Sequence, residues 1–150
     1  MTRAQLRLAI AALAVLSGLL AAGPIPAAPT TARSASLVVG KSSFGPILFD
    51  GRGYALYAFT HDSPGHATCY AACARAWPPF VVRARPVAGD GARAARIGVT
   101  RRTDGKLQVT YAARPLYFYV GDGRGQVLCQ NVKEFGGFWL VVRGSGKLAR

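Results

Sequence analysis

The sequence is poor in acidic residues and in cysteine, and it lacks the common catalytic motifs. It contains 6 Asp and Glu against 19 Lys and Arg, for a formal net charge of +13, and 3 cysteines. No G-x-S-x-G, phosphate-binding or dinucleotide-binding pattern occurs, and the C-x-x-C-H pattern of haem attachment is also absent. These absences argue against the usual serine hydrolases, nucleotide-dependent enzymes and c-type haem proteins.

The longest apolar run lies near the N-terminus. Arg3 and Arg7 precede an apolar stretch over 8–22, and small residues follow as far as Ala28. This three-part pattern predicts a secretory signal peptide over residues 1–28. The run is shorter than the roughly 20 residues that span a bilayer. We therefore expect no stable membrane span after cleavage and an extracytoplasmic location, periplasmic or secreted; an uncleaved anchor is the alternative.

The remainder of the chain predicts a short leader and one domain. Residues 24–36, which overlap the region of cleavage, are rich in Pro, Ala, Ser and Thr and predict a flexible leader. Residues 37–143 are long enough for one domain with one core, and 144–150 form a tail.

The positive charge bears on the choice of partner. A field of this sign favours anionic partners such as lipid headgroups or envelope polymers. No nucleic-acid-binding motif occurs, so we expect no nucleic-acid partner. A solvated basic surface without a partner is the alternative interpretation.

An internal repeat organises the domain. The segment LYAFTHD at 56–62 aligns with LYFYVGD at 116–122, and a cysteine lies seven residues beyond each aspartate. The repeats extend over about 37–83 and 96–143, joined by a polar, small-residue loop.

Each repeat predicts a β-meander. In the second, Asp104-Gly105 lies between alternating segments, which is a strong hairpin signal. The segment 116–120 predicts a further strand, and the first repeat follows the same plan. Only 69–77 predicts a helix, of about two turns. The fold class is therefore all-β for the most part: a small antiparallel sandwich or barrel built from two similar β-meander repeats.

The repeated motif resembles that of a known family. Tyr57, Phe59 and Asp62 fit a Y-x-(F/W/Y)-x-x-D pattern, as do Tyr117, Tyr119 and Asp122. The segments TCYAACARAWPPF (68–80) and FGGFWLVV (135–142) are also similar to segments of that family. These are bacterial secreted-repeat proteins, many of them predicted lipoproteins, without an established activity. This chain lacks the lipidation cysteine, so the resemblance does not imply lipid anchoring here.

The motif has a structural and a functional interpretation. Strand period two places the two aromatic side chains of each copy on one face, and the aspartate follows where the strand ends. Each carboxylate is then able to accept bonds from the next turn or from the tyrosine of the other repeat. Alternatively, the copies form paired ligand pockets, or Asp62 and Asp122 form a glycosidase-like carboxylate pair.

The cysteines predict one disulfide. Cys69 and Cys73 are close enough in sequence to bridge across one helical turn, which leaves Cys129 free. A bridge from Cys69 or Cys73 to Cys129 is the alternative, because pairing does not follow from sequence.

His61 and His66 are the candidate metal ligands, together with Cys69 or Asp62. The turn Ser63-Pro64-Gly65 between them instead predicts a solvated loop, so we expect no metal and no other cofactor.

The sequence therefore predicts an exported, non-enzymatic protein of the cell envelope or the medium, with a binding or structural role. The alternatives are a periplasmic metal- or haem-binding protein that uses the 61–73 loop, and a small hydrolase.

Overall fold

A computed structural model describes residues 35–150; the predicted signal peptide and most of the predicted leader lie outside this range. The described part contains ten strands and one short α-helix. Their bounds are β1 Ser36–Gly40, β2 Ile47–Asp50, β3 Tyr57–Phe59, α1 Ala71–Ala76, β4 Val81–Val82, β5 Val87–Ala88, β6 Ile97–Arg101, β7 Leu107–Tyr111, β8 Arg114–Pro115, β9 Val132–Glu134 and β10 Gly137–Val141. Within the same residues, no helix is long and apolar enough to cross a membrane.

The strands form three small sheets, and over residues 35–150 none of them closes into a barrel. The strand orders are β2-β1-β5, β3-β10-β9 and β4-β7-β6. β8 pairs with the C-terminal end of β7, on the same side of β7 as β4. Neighbouring strands are antiparallel except for β1 and β5, which pair in parallel at Ser36–Val87 and Leu37–Ala88. The predicted mostly-β class with two repeats and one short helix is confirmed.

The Asp-Gly signal marks the hairpin between β6 and β7. The N–H of Arg102 donates to the carbonyl of Lys106 at 2.9 Å. Gly105 has φ +81°, a left-handed conformation that glycine adopts without a side-chain clash. The carboxylate of Asp104 accepts the N–H of Lys106 at 3.1 Å. The turn chemistry therefore fixes the register of this hairpin.

The two repeats exchange their last strands. β4, at the end of the first repeat, pairs with β7 of the second through Val81 and Gln108. β10, at the end of the second repeat, pairs with β3 of the first through Trp139 and Phe59. Each repeat is therefore completed by a strand of the other, and neither sheet is whole within one repeat.

The same backbone bonds recur on both sides of this exchange. Leu48 donates to the carbonyl of Val142 at 2.7 Å, and Val109 donates to the carbonyl of Phe80 at 2.9 Å. Because these pairs occupy corresponding places in the repeats, the domain has an approximate two-fold axis.

Three segments differ from their predicted conformation. The loop between the repeats contains β5, because Val87 and Gly89 donate to carbonyls along the edge of β1. The segment 116–120 is not a ladder strand: Tyr117 makes isolated bridges to Tyr57 and Pro79, since it lies where the two halves meet. The predicted tail folds back, and Ala149 is buried beside β10.

Two apolar clusters form the core. One is mainly aliphatic and includes Leu37, Leu56 and Leu116. The other is mainly aromatic and includes Trp77 and Trp139, which are both fully buried. The repeated motif lies in and around the aromatic cluster.

Candidate functional site

The two copies of the motif are hydrogen-bonded to each other. The hydroxyl of Tyr57 donates to Oδ2 of Asp122 at 2.6 Å. The hydroxyl of Tyr117 donates to Oδ2 of Asp62 at 2.8 Å. Both tyrosines are fully buried. Each tyrosine therefore pairs with the aspartate of the other repeat and not with its own, an arrangement we call the Tyr–Asp lock.

The backbone repeats this reciprocity. The N–H of Tyr57 donates to the carbonyl of Tyr117, and the N–H of Tyr117 donates to the carbonyl of Tyr57, both at 2.9 Å. Equal bonds between equivalent residues place the two-fold axis between these tyrosines. The lock therefore joins the repeats where their chains cross.

The second oxygen of each aspartate closes the loop that follows it. Oδ1 of Asp62 accepts the N–H of Thr68 at 2.8 Å and its hydroxyl at 2.7 Å. Oδ1 of Asp122 accepts the N–H of Leu128 at 2.9 Å. Both donors lie six residues beyond the aspartate. All four carboxylate oxygens thus have partners inside the fold.

The protonation of the lock follows from burial. Desolvation raises the pKa of Asp62 and of Asp122, although the bonds from tyrosine and backbone donors favour the charged form. Burial also raises the pKa of Tyr57 and of Tyr117, and the adjacent carboxylate raises each further. Each phenol therefore keeps its proton and donates a hydrogen bond to the neighbouring carboxylate.

Two tryptophans stack across the axis. Trp77 and Trp139 have ring centroids 4.1 Å apart and planes within 2°. Tyr57 meets Trp77 edge-on at 5.2 Å, and Tyr117 meets Trp139 edge-on at 5.1 Å. Edge-on contacts bring the positive rim of one ring to the negative face of another, a favoured aromatic geometry. The hydroxyl of each lock tyrosine is therefore hydrogen-bonded to an aspartate, and its ring packs against a tryptophan.

The remaining motif aromatics extend the stack. Phe59 stacks on Trp139 at 4.2 Å, and Tyr119 lies tilted against Trp77 at 4.8 Å. The indole nitrogens differ between the repeats: that of Trp77 donates to Glu134 at 2.9 Å, whereas that of Trp139 is buried and lacks a hydrogen-bond partner among the described residues. The symmetry is thus approximate.

The cysteines form the bridge that their spacing favours. Cys69 and Cys73 are joined by a disulfide with a Cα–Cα distance of 5.3 Å, and Cys129 is a partly buried free thiol. Cys69 directly follows the loop closed by Asp62, and the bridge joins it to Cys73 in helix α1. The alternative bridge to Cys129 is not formed.

The histidines are not brought together with other metal donors. His61 and His66 are exposed, and the ring of His61 lies 5.8 Å from that of Phe59. The nearby Asp62 is occupied by three donors, and Cys69 is oxidised. Over residues 35–150, no group of three or more His, Cys, Asp or Glu side chains is placed to hold a metal.

Sequence reasoning missed a buried arginine that supports the lock. Arg102 donates through Nη1 to Gln108 at 2.6 Å and through Nη2 to the carbonyl of Cys69 at 2.7 Å. Its guanidinium lies 4.1 Å from the ring centroid of Tyr70. This side chain ties the second repeat to the disulfide loop of the first. No local pattern indicates it, because Cys69 and Tyr70 are more than thirty residues away in sequence.

A second feature that the sequence did not indicate is an arginine that lies over an edge-to-face pair of aromatic rings. Nε of Arg52 donates to Asp50 at 2.7 Å. The guanidinium carbon lies 5.3 Å from the ring centroid of Tyr54 and 5.6 Å from that of Phe118. The carboxylate of Asp50 also accepts the N–H groups of Arg52 and Tyr54, both at 3.0 Å.

A groove of about 660 Å³ opens beside this arginine, and we call it the Arg52 groove. Its walls combine the ends of β1 and β2 with the Pro-Pro segment before β4. The lining residues are Ala35, Ser36, Asp50, Gly51, Arg52, Pro78, Pro79, Phe80, Val81 and Phe118.

The fold and the lock define a class of duplicated β-proteins whose repeats complete each other. The family model described as a secreted repeat of unknown function matches residues 38–81 and 98–143, and the chain belongs to this family. No curated protein and no solved structure matches the chain. The family description supports a secreted protein and carries no biochemical activity.

Proposed function

We propose that this is an exported, non-enzymatic protein that binds anionic components of the cell envelope, and that the Tyr–Asp lock serves the scaffold. The observation that supports this most is the difference between the acidic and the basic side chains in the partners they have. Most of the acidic side chains have a polar partner within the protein, whereas most of the basic side chains form no ion pair.

Five of the six acidic residues have a polar partner for their carboxylate. Asp62 and Asp122 belong to the lock, and Asp50 binds Arg52. Asp104 accepts a backbone bond next to Lys106, and Glu134 accepts the indole of Trp77. A hydrogen-bonded carboxylate keeps its charge, so all six acidic residues together offset only six of the 16 positive charges of residues 35–150.

The basic residues contrast with this. Residues 35–150 contain 16 Lys and Arg, the 19 of the whole chain less Arg3, Arg7 and Arg33, and all 6 acidic residues, a net charge of +10. Among the described residues, ion pairs involve Arg52, Arg102 and Lys106. The other thirteen contribute to an unbalanced positive field, which attracts polyanions.

The segment between the repeats concentrates part of this charge. We call residues 83–96 the connector; it contains four arginines, which are Arg83, Arg85, Arg93 and Arg96. Nη2 of Arg85 donates to the carbonyls of Ala94 at 2.9 Å and Ile97 at 2.6 Å, which folds the two ends of the connector together. Arg83, Arg85 and Arg93 are exposed, and Arg96 is half-buried.

The occupied carboxylates favour this proposal over the alternatives. A glycosidase pair requires two carboxyl groups that face a substrate, and Asp62 and Asp122 are hydrogen-bonded at every oxygen. A metal site in the 61–73 loop would have to form from two histidines, fewer than the three or four protein ligands of zinc sites.

Export by a cleaved signal peptide is part of the proposal. N-terminal sequencing of protein recovered outside the cytoplasm should find a start between about Pro24 and Ser36. Met1 retained on a membrane-bound product would contradict it.

The binding role is tested by sedimentation with vesicles. Protein should bind vesicles of phosphatidylcholine plus phosphatidylglycerol and not vesicles of phosphatidylcholine alone, and added salt should weaken binding. The triple variant Arg83→Gln, Arg93→Gln, Arg96→Gln removes connector charge without removing the Arg85 bonds.

The matched control removes the same charge elsewhere, from three exposed lysines: Lys41→Gln, Lys133→Gln, Lys147→Gln. We expect the connector variant to bind much more weakly than this control. Equal binding by the two variants would contradict a role for the connector, and no salt-sensitive binding by the unmodified protein to the anionic vesicles would contradict the proposed function.

A further inference from the structure

The Arg52 groove occurs in only one of the two repeats, unlike the lock. In the corresponding turn of the second repeat, Tyr111 stands in the place of Asp50; its ring is buried, and its hydroxyl donates to the carbonyl of Gly144 at 2.7 Å. The place of Phe118 is taken by Ala58 in the first repeat. A feature present once in a duplicated fold is not required by that fold.

We propose that this groove binds a small organic carboxylate with an apolar body. Arg52 holds the carboxylate, and Phe118 with Pro78 and Pro79 holds the body. The inference rests on the proposed binding role but assigns it a second surface, separate from the connector.

Arg52 is already arranged to receive an oxyanion. The Asp50 bond fixes Nε, and the guanidinium lies over the edge-to-face rings of Tyr54 and Phe118. Its two terminal nitrogens make no hydrogen bond to any of residues 35–150. A guanidinium fork matches the two oxygens of a carboxylate, and ordering it beforehand lowers the entropy cost of binding.

The charge that faces the groove mouth is positive. Asp50 is 3% exposed and Arg52 is 64% exposed, so solvent meets the guanidinium far more than the carboxylate. The exposed Arg124 belongs to the segment next to the turn that carries Arg52, because the N–H of Gly125 donates to the carbonyl of Gly53 at 2.8 Å. An anion is therefore the favoured ligand.

The walls of the groove suit an apolar body. Phe80 and Phe118 have ring centroids 5.1 Å apart, and both line the groove with the two prolines. The groove volume of about 660 Å³ lies within the roughly 300–1,000 Å³ typical of small-molecule sites. Of the two charged residues in the lining, only Arg52 is well exposed, so it fixes the orientation of a ligand while the apolar residues add affinity.

The test is isothermal titration calorimetry of the folded protein with decanoate and with 2-naphthoate. The two probes share the carboxylate and distinguish a lipid-derived acid from an aromatic one. Uncharged 2-naphthamide serves as the probe control. We expect saturable binding of at least one acid and at least tenfold weaker binding of the amide.

Four variants complete the test. Arg52→Gln and Phe118→Ala should each weaken binding at least tenfold, and Arg52→Lys, which keeps the charge but loses the fork, should weaken it less. Arg114→Gln, in the corresponding turn of the second repeat, should leave it unchanged. Thermal melting of each variant shows that it is folded.

No saturable binding of either acid, or equal affinity in Arg52→Gln and the unmodified protein, would overturn the inference. The proposed function is judged separately, because Arg52→Gln leaves the connector intact and should not change vesicle sedimentation by more than the loss of one charge does at Arg114.

Discussion

Tyr57 and Tyr117, 60 positions apart, donate their N–H groups to each other's carbonyls at 2.9 Å and their hydroxyls to aspartates of opposite repeats. The pair lies where the exchanged strands cross. A buried phenol without an acceptor and a buried carboxylate without a donor are both costly. The repeats therefore satisfy these groups only by assembling together, which explains a Tyr-x4-Asp spacing in each copy.

Truncation of the aspartates should destabilise the fold. Asp62→Ala and Asp122→Ala each leave a tyrosine hydroxyl and a backbone N–H without their acceptor. We expect the free energy of unfolding to fall by about 1–3 kcal/mol per site, by similar amounts in the two variants. Urea denaturation of the single variants measures this.

Asparagine at the same positions is the matched control, because its carbonyl still accepts one of the bonds. Asp62→Asn and Asp122→Asn should recover part of the lost stability. Unchanged or raised stability in both alanine variants would instead favour a ligand site, whose clustered charge destabilises the free protein.

The raised pKa of each locked tyrosine predicts alkaline sensitivity. The unfolded chain loses a phenol proton near the ordinary pKa of 10.0, whereas the folded protein keeps it to higher pH. Above about pH 10 the folded state therefore binds more protons, so stability falls as pH rises, by up to about 1.4 kcal/mol per pH unit for each tyrosine.

Urea denaturation across pH 9–11 tests this expectation. The double variant Tyr57→Phe, Tyr117→Phe starts less stable, but its stability should depend less steeply on pH over that range. Equal slopes for the variant and the unmodified protein would show that the two phenols ionise alike in the folded and unfolded states.

The disulfide should contribute modestly. Thiol titration of denatured, unreduced protein should find one free thiol, Cys129. The double variant Cys69→Ser, Cys73→Ser should lose at most about 2 kcal/mol, because the closed loop is short. Cys129→Ser is the control and should keep the Cys69–Cys73 bridge, which non-reducing peptide mapping detects; a bridged Cys129 in the unmodified protein would contradict the pairing.

The exchange of last strands predicts that neither repeat folds alone. A chain that ends in the connector, after Gly89, lacks β10, and its partner fragment from Asp90 lacks β4. Circular dichroism should find each fragment unfolded and an equimolar mixture folded. A cooperative melt of either fragment by itself would contradict the exchange.

Much of the fold is predictable from local sequence patterns. The hairpin at Asp104-Gly105 depends on residues close in sequence, so sequence predicts it, and the short spacing of Cys69 and Cys73 favours their bridge over one to Cys129. The duplication is equally visible, because LYAFTHD and LYFYVGD preserve spacing as well as residue type.

The pairing of strands across the two repeats is not predictable from local patterns. A meander and a strand-exchanged pair have the same order of β segments, and only long-range bonds such as Leu48 to Val142 distinguish them. The Arg52 groove depends on that exchange, since Phe118 and Pro78 reach it from different repeats. The short parallel pairing of β5 also escapes prediction, because ARPVAGDGARAA has no strand pattern.

The central claim, that the repeated motif is a structural lock, is tested most directly by a double-mutant cycle on Tyr57 and Asp122. Tyr57→Phe, Asp122→Ala and the double variant, each of which removes the hydrogen bond between the two side chains, are unfolded in urea and compared with the unmodified protein. The lock predicts a coupling free energy of about 1–3 kcal/mol, as for a buried hydrogen bond to a charged group. A coupling within about 0.3 kcal/mol of zero would contradict it, because the two side chains would then act independently.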